Sequence, residues 1–196
     1  GIKGDLNMAV LKKGDKFPNF TVETESQKGL TTDEMVKQAK KTVFWVLRYI
    51  GCTTCRWDVH QIMLNYAKFV DRDTQVYVVM QSDPAKVRRD LEGYHMPYHI
   101  ICDYNQEIYN SLDIKRTATK EERQPTDEAD KAKLAAKMEK VKASGFVHGD
   151  YEGNEQQLPA MFITDDRGNV LYAHYAKNSI DMPTVDETLA IIDSLR

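Results

Sequence analysis

The chain is expected to fold as an α/β protein with a central mixed sheet flanked by helices, on three observations. Two nearly continuous apolar runs, Thr42 to Leu47 and Val76 to Met80, are rich in β-branched and aromatic residues and suit strands buried on both faces. Between them Val59, Ile62, Met63, Tyr66, Phe69 and Val70 recur at helical spacing. Near the C-terminus, Ala160 to Thr164 and Val170 to Tyr175 flank the turn formers Asp165 to Asn169 and read as an antiparallel hairpin.

Residues 1–16 are polar and are expected to be a loose N-terminal extension, followed by one domain over 17–196. Phe20 to Thr24 alternates behind Pro18 and reads as an edge strand. Thr31, Thr32, Asp33 and Glu34 form a capped helix start with Met35, Val36 and Ala39 as its apolar side. The first central strand, its helix of about four turns and the second strand make a βαβ unit, whose crossover should be right-handed and whose strands should be parallel. Ser82, Asp83 and Pro84 punctuate the second strand before a helix to about Leu91, and Tyr98 to Cys102 is a further short strand before a helix over Asn105 to Leu112. From Asp113 to Gln157 the chain turns rich in Lys, Glu, Asp and Gln; this is expected to be an insertion built on a helix from Thr126 to Lys142, docked by a thin stripe of Leu134, Met138 and Val141. Pro183 to Glu187 opens a last helix with Val185, Leu189, Ile192 and Leu195 inward.

The 196 residues suffice for a sizeable core without disulfide staples. With 27 basic and 30 acidic residues, net charge −3, nothing advertises nucleic acid or an anionic membrane as partner. No apolar run approaches the ~20 residues of a membrane span. Three cysteines fit a reducing compartment, so the expected setting is soluble and cytoplasmic; the chain begins at Gly1, which leaves a processed or exported form open.

Chemistry concentrates where the first central strand ends. Cys52 and Cys55 are three apart and lead into the helical pattern, which places Cys52 at a helix N-terminus, where free N–H groups and the dipole favour a thiolate. Cys55, one turn on, is placed to close or resolve a disulfide with it. A Cys-x-x-Cys pair is also half of a zinc site, but the remaining candidates are Cys102 and His60, and no complete ligand set can be read from them. Cys102 is expected to be a buried inert thiol, and His60 a surface or hydrogen-bonded residue.

Phe44 to Tyr49 followed by Cys52, Thr53, Thr54 and Cys55 at a helix start, with Leu158 and Pro159 just before the hairpin, resembles the thioredoxin fold. Lys13 to Phe20 and Gln157 to Asp165, with Tyr172 to His174, are similar to the peroxiredoxin-like branch, the alkyl hydroperoxide reductase/thiol-specific antioxidant superfamily. That resemblance spans about Leu11 to Arg196 and implies a cis-proline at Pro159, beside the cysteine turn, with the Leu158 backbone presented to an extended substrate. The peroxidatic pattern Pro-x-x-x-Thr-x-x-Cys is not matched: counting back from Cys52 meets Trp45 and Tyr49, and from Cys55 meets Arg48 and Cys52. Tyr49 offers a hydroxyl in its place, and Arg48 or Arg56 a cation for the thiolate; Arg48 reads equally as a structural ion-paired residue. The expected activity is thiol–disulfide oxidoreduction through Cys52 and Cys55, without a cofactor or metal, with a protein or small-molecule disulfide or a peroxide as substrate and an external thiol as reductant. A peroxidase and a non-catalytic binding module on the same scaffold are the alternatives.

Overall fold

The computed structural model describes residues 9–195. A small antiparallel pair, β1 (Thr21–Val22) and β2 (Leu30–Thr31), precedes α1 (Thr32–Val36), β3 (Lys41–Val46), α2 (Thr53–Leu64), α3 (Tyr66–Val70), β4 (Thr74–Met80), α4 (Pro84–Asp90) and β5 (His99–Cys102). Then come α5 (Glu107–Ser111), α6 (Lys120–Arg123), α7 (Glu128–Ser144), the hairpin β6 (Ala160–Asp165) and β7 (Val170–Tyr175), and α8 (Val185–Ser194). The main sheet runs β5-β4-β3-β6-β7, with β3 parallel to β4 and antiparallel to β6. β3 therefore has strands on both sides and helices over both faces, which is why its sequence does not alternate: five of its six residues are buried.

Two apolar layers sandwich the sheet. On one face Val43, Trp45, Val78, Ile100 and Met161 meet Val59, Ile62 and Phe69 of α2 and α3, and Leu189 and Ile192 of α8. On the other, Phe44, Val46, Val79 and Phe162 meet Phe17, Phe20, Met35, Ile108 and Tyr109. Phe17 stacks on Phe44 with centroids 4.2 Å apart.

Three local expectations are corrected. The helix after the cysteines is two helices, because Asn65 leaves helical geometry (φ −106°, ψ 8°) and its side-chain amide donates to the Gln61 carbonyl at 2.8 Å, competing with the backbone ladder. The break re-phases the pattern, so Val70 points to solvent. Within the N-terminal extension, 1–8 lie outside the described residues, but 9–16 are not loose: the Ala9 N–H donates to Ser111, Gly14 to Val170, and Leu11 is buried.

The helix of the charged stretch is also held differently from expectation. α7 has the expected signals, with Asp127 capping the Asp130 N–H, acidic residues in the first turn and Gly145 in the left-handed region (φ 79°) at its end. Of its apolar residues only Val141 is buried; Leu134 is half-buried and Met138 is 40% exposed. Its hydrogen bonds and ion pairs to the body add to that thin apolar contact. Lys137 reaches Asp58 of α2 at 2.8 Å, Lys133 donates to the Met182 carbonyl at 2.7 Å, and Asp130 accepts from Asn178 at 2.9 Å. Both members of the Lys137–Asp58 pair are largely shielded from water, so removing one strands the other. Lys137→Ala is expected to lower stability by about 1–3 kcal/mol, and Met138→Ala to stay within about 0.5 kcal/mol of wild type. Urea unfolding measures both; a larger loss for Met138→Ala would mean that apolar contact holds the helix.

Candidate active site

β3 ends at Val46, and a non-helical stretch carries the chain over the carboxyl edge of the sheet to Cys52, the N-cap of α2. The Cys52 sulfur takes the place of a capping oxygen: it accepts the Cys55 backbone N–H at 3.4 Å. Two side chains complete its surroundings. Nη2 of Arg48 donates to the sulfur at 3.1 Å, and Oγ1 of Thr54 lies 3.2 Å away. Arg48 is fixed in turn by Glu155, whose backbone carbonyl accepts from Nη1 at 2.7 Å and whose carboxylate is 3.5 Å away, and its guanidinium lies over the Tyr49 ring.

These contacts separate the two thiols electrostatically. Cys52 is held well below the usual thiol range by the adjacent Cys55 thiol, against the cost of burial, and further by the Arg48 charge, the Thr54 hydroxyl and the Cys55 N–H. Cys55 is pushed well above it by burial, by its contact with Cys52 and by the Cys52 charge. The two sulfurs are thus pushed in opposite directions, Cys52 toward the thiolate and Cys55 toward the neutral thiol, and no disulfide joins them.

A cover lies over the sulfur, and Cys52 is only 1% exposed. The cover is the segment after α7: Gly149 donates to the Gly51 carbonyl at 2.8 Å, His148 meets the Tyr49 hydroxyl at 3.1 Å, Asn154 accepts and donates across to Gln81, and Glu155 reaches Arg48. The approach at Gly51 is close enough that a β-carbon there would collide with the backbone of Asp150.

Several expected roles are not supported by this geometry. Arg56 faces away from the thiolate; its three nitrogens bind Ile50 O, Val147 O and Asp90 Oδ2, so it ties α2 to the cover and to α4. Tyr49 is fully buried with its hydroxyl on His148, and the hydroxyl beside the sulfur belongs to Thr54. No peptide bond among the described residues is cis, so Leu158–Pro159 is trans. Nor is the Leu158 backbone open to a substrate: its N–H donates to Lys115 O at 3.0 Å, its carbonyl accepts from the Gln157 side chain, and Arg116 pairs with Gln157 as an antiparallel bridge. Lys115 and Arg116 themselves occupy the edge expected for an extended ligand. Cys102 is buried on β5 with its thiol pushed up by desolvation, and among the described residues no three His, Cys, Asp or Glu side chains converge as a metal site.

The AhpC/TSA family pattern matches residues 13–173, most of the chain. The chain belongs to the AhpC/TSA family. Solved structures show the same thioredoxin-like fold at low identity. Peroxidoxin BcpB from Mycobacterium tuberculosis superposes with a TM-score of 0.67 at 13% identity, over 95% of this chain and 99% of that one. A cysteine-to-serine mutant of peroxiredoxin 6 of Arenicola marina gives 0.69 at 15% over 94% and 73%, and Mycobacterium tuberculosis AhpC gives 0.63 at 16% over 94% and 93%. No curated protein matches the chain. As an AhpC/TSA member it is a peroxiredoxin-like protein, and the side chains beside its Cys52 sulfur are Arg48 and Thr54.

Thr54, Glu155 and Arg123 are site residues that the sequence reading does not single out. Thr54 carries a local signal, a hydroxyl in the first helical turn two residues past the N-cap. Glu155 and Arg123 carry none, since both arrive from the charged stretch far along the chain. Arg123 is half-buried, its Nε makes no hydrogen bond among the described residues, and burial and the like charge of Arg48 lower its pKa while Cys52 raises it.

Because the folded Cys52 pKa is depressed, its ionisation adds stability that is complete above the ordinary thiol range and is lost as pH falls through the folded value. Thiolate absorbance should be present at neutral pH in wild type and in Cys102→Ser, and absent in Cys52→Ser. Arg48→Ala should move its titration upward by about one to two pH units, since a charged hydrogen bond is worth about 1.5–3 kcal/mol; an unmoved titration would show that Arg48 does not stabilise the thiolate. Gly51→Ala should displace the cover and make Cys52 alkylate at least about tenfold faster, equivalent to about 1.4 kcal/mol of easier opening. Mass spectrometry of the labelled cysteines reads this out, and slower or unchanged labelling would count against a cover pinned at Gly51.

Proposed function

We propose that the chain is a dithiol hydroperoxide reductase in which Cys52 is the nucleophile and Cys55 resolves it. The observation that supports this reading over protein disulfide exchange is the enclosure of Cys52: at 1% exposure under Arg48 and Thr54, its sulfur has room for a small oxidant after a modest opening, whereas a protein disulfide needs the whole cover removed. The occupied Leu158 edge argues the same way.

In the proposed reaction the Cys52 thiolate attacks the terminal oxygen of a hydroperoxide. An S–O bond forms, the O–O bond breaks, and its electron pair leaves on an alkoxide that takes a proton from solvent to become the alcohol. Arg48 holds the sulfur ionised and, with the unpartnered Arg123 Nε, supplies positive charge and donors where the leaving oxygen gains negative charge. The sulfur of Cys55 then displaces the sulfenic hydroxyl, which departs with the thiol proton as water, and a Cys52–Cys55 disulfide remains. Two electrons from an external thiol reductant restore the dithiol. No cofactor is needed.

Thiol–disulfide oxidoreduction is the second reading, favoured by the spacing of Cys52 and Cys55 alone. Hydroperoxide consumption with dithiothreitol as reductant, run beside insulin reduction, separates the two. The expected result is peroxide turnover that Cys52→Ser abolishes, and a single turnover in Cys55→Ser that leaves a sulfenic acid trapped by dimedone. Insulin reduction without peroxide consumption would overturn the peroxidase reading in favour of the second, and neither activity in a folded protein would favour a binding module.

A further inference from the structure

Between α2, α7 and the turn that leads into α8 lies a cavity of about 450 Å³, within the usual size range of small-molecule sites. Its floor is apolar and partly aromatic, formed by Trp45, Leu47, Trp57, Pro159, Ile180 and Met182. Its wall is basic. Lys137 is taken by Asp58 and Lys133 by the Met182 carbonyl and Glu187, but Lys68 and Lys140 stand at the rim, exposed and without an ion pair among the described residues. The carboxylates on the wall are Asp58, already neutralised by Lys137, and the exposed Asp186, so the rim is net positive.

We propose that this cavity binds an amphipathic monoanion, an aliphatic carboxylate whose chain lies on the tryptophan floor and whose head group sits between Lys68 and Lys140. An uncharged apolar ligand would leave the lysine rim unused, and a cation would meet it unfavourably. A strongly charged polyanion would gain nothing from a floor of two tryptophans, aliphatic side chains and a proline. The site is not the thiolate pocket: neither cysteine lines it, although Asp58 and Lys137 on its wall act electrostatically on the redox pair. The proposal does not rest on the peroxidase reading, because it concerns binding and not turnover.

The chain has two tryptophans, and both line the cavity, so intrinsic fluorescence reports occupancy directly. The reduced full chain is titrated with decanoate below its micellar range, with decan-1-ol as the uncharged comparator. Saturable binding is expected, with decanol about fivefold weaker or worse, since each lysine engaged makes a charged contact near the surface that the alcohol cannot make. The Lys68→Ala, Lys140→Ala double variant should bind decanoate about fivefold more weakly or worse. Ala136→Phe, which projects a ring into the cavity from the exposed side of α7, should abolish binding while circular dichroism shows it folded. Absence of a saturable change, equal binding of decanol, or undiminished binding in Ala136→Phe would each overturn the proposal.

Discussion

A sulfur used as a helix cap is the constraint on which this molecule turns. A thiolate buried without partners would be unstable by several kcal/mol, yet Cys52 is buried and its ionised form is favoured relative to an ordinary thiol. What makes that tolerable is the convergence of an unpaired helical N–H, the Arg48 guanidinium and the Thr54 hydroxyl on a single atom. Each must be delivered by a rigid element. β3 is clamped between a parallel and an antiparallel neighbour, so the chain leaves the sheet at a fixed point, and α2 starts there with its positive end toward the sulfur.

The charged stretch over 113–157 is best understood as part of that site. Its helix is attached to the body by ion pairs and carbonyl contacts, and from this platform the following segment passes over the cysteines and presents Glu155 to Arg48. Its early residues close the sheet edge beside Leu158. The sheet, α2 and the hairpin therefore hold the cysteines, while the covering and the second guanidinium come from the stretch in which composition changes most sharply.

How much of this can be read from the residues follows from the range of the forces involved. β3, β4, the hairpin, the cap at Thr31 and the capping box of Thr184 with Glu187 rest on neighbours a few positions apart, and their locations are legible. Cys52 at a helix start is legible for the same reason. The broken helix at Asn65 is not, because one amide reaching back four residues outweighs a continuing apolar period. Arg48 stays undecided in the sequence because its partner Glu155 is 107 residues away, and Arg56 is misleading there because Asp90 and Val147 claim it. The apolar stripe of α7 misleads in a further way. Leu134, Met138 and Val141 do share a face, but only Val141 on it is buried, while Lys137, one position from Met138, reaches the largely shielded carboxylate of Asp58.

The separation between Arg48 and Glu155 also has a consequence for biosynthesis. β3 and α2 emerge from the ribosome roughly a hundred residues before the segment that covers them. At about 5–20 residues per second, the nascent chain carries Cys52 without its lid for roughly 5–20 s. During that interval any thiol or oxidant in the surroundings meets a cysteine that the finished protein hides, and the chain is at its most vulnerable to a wrong bond before it is complete.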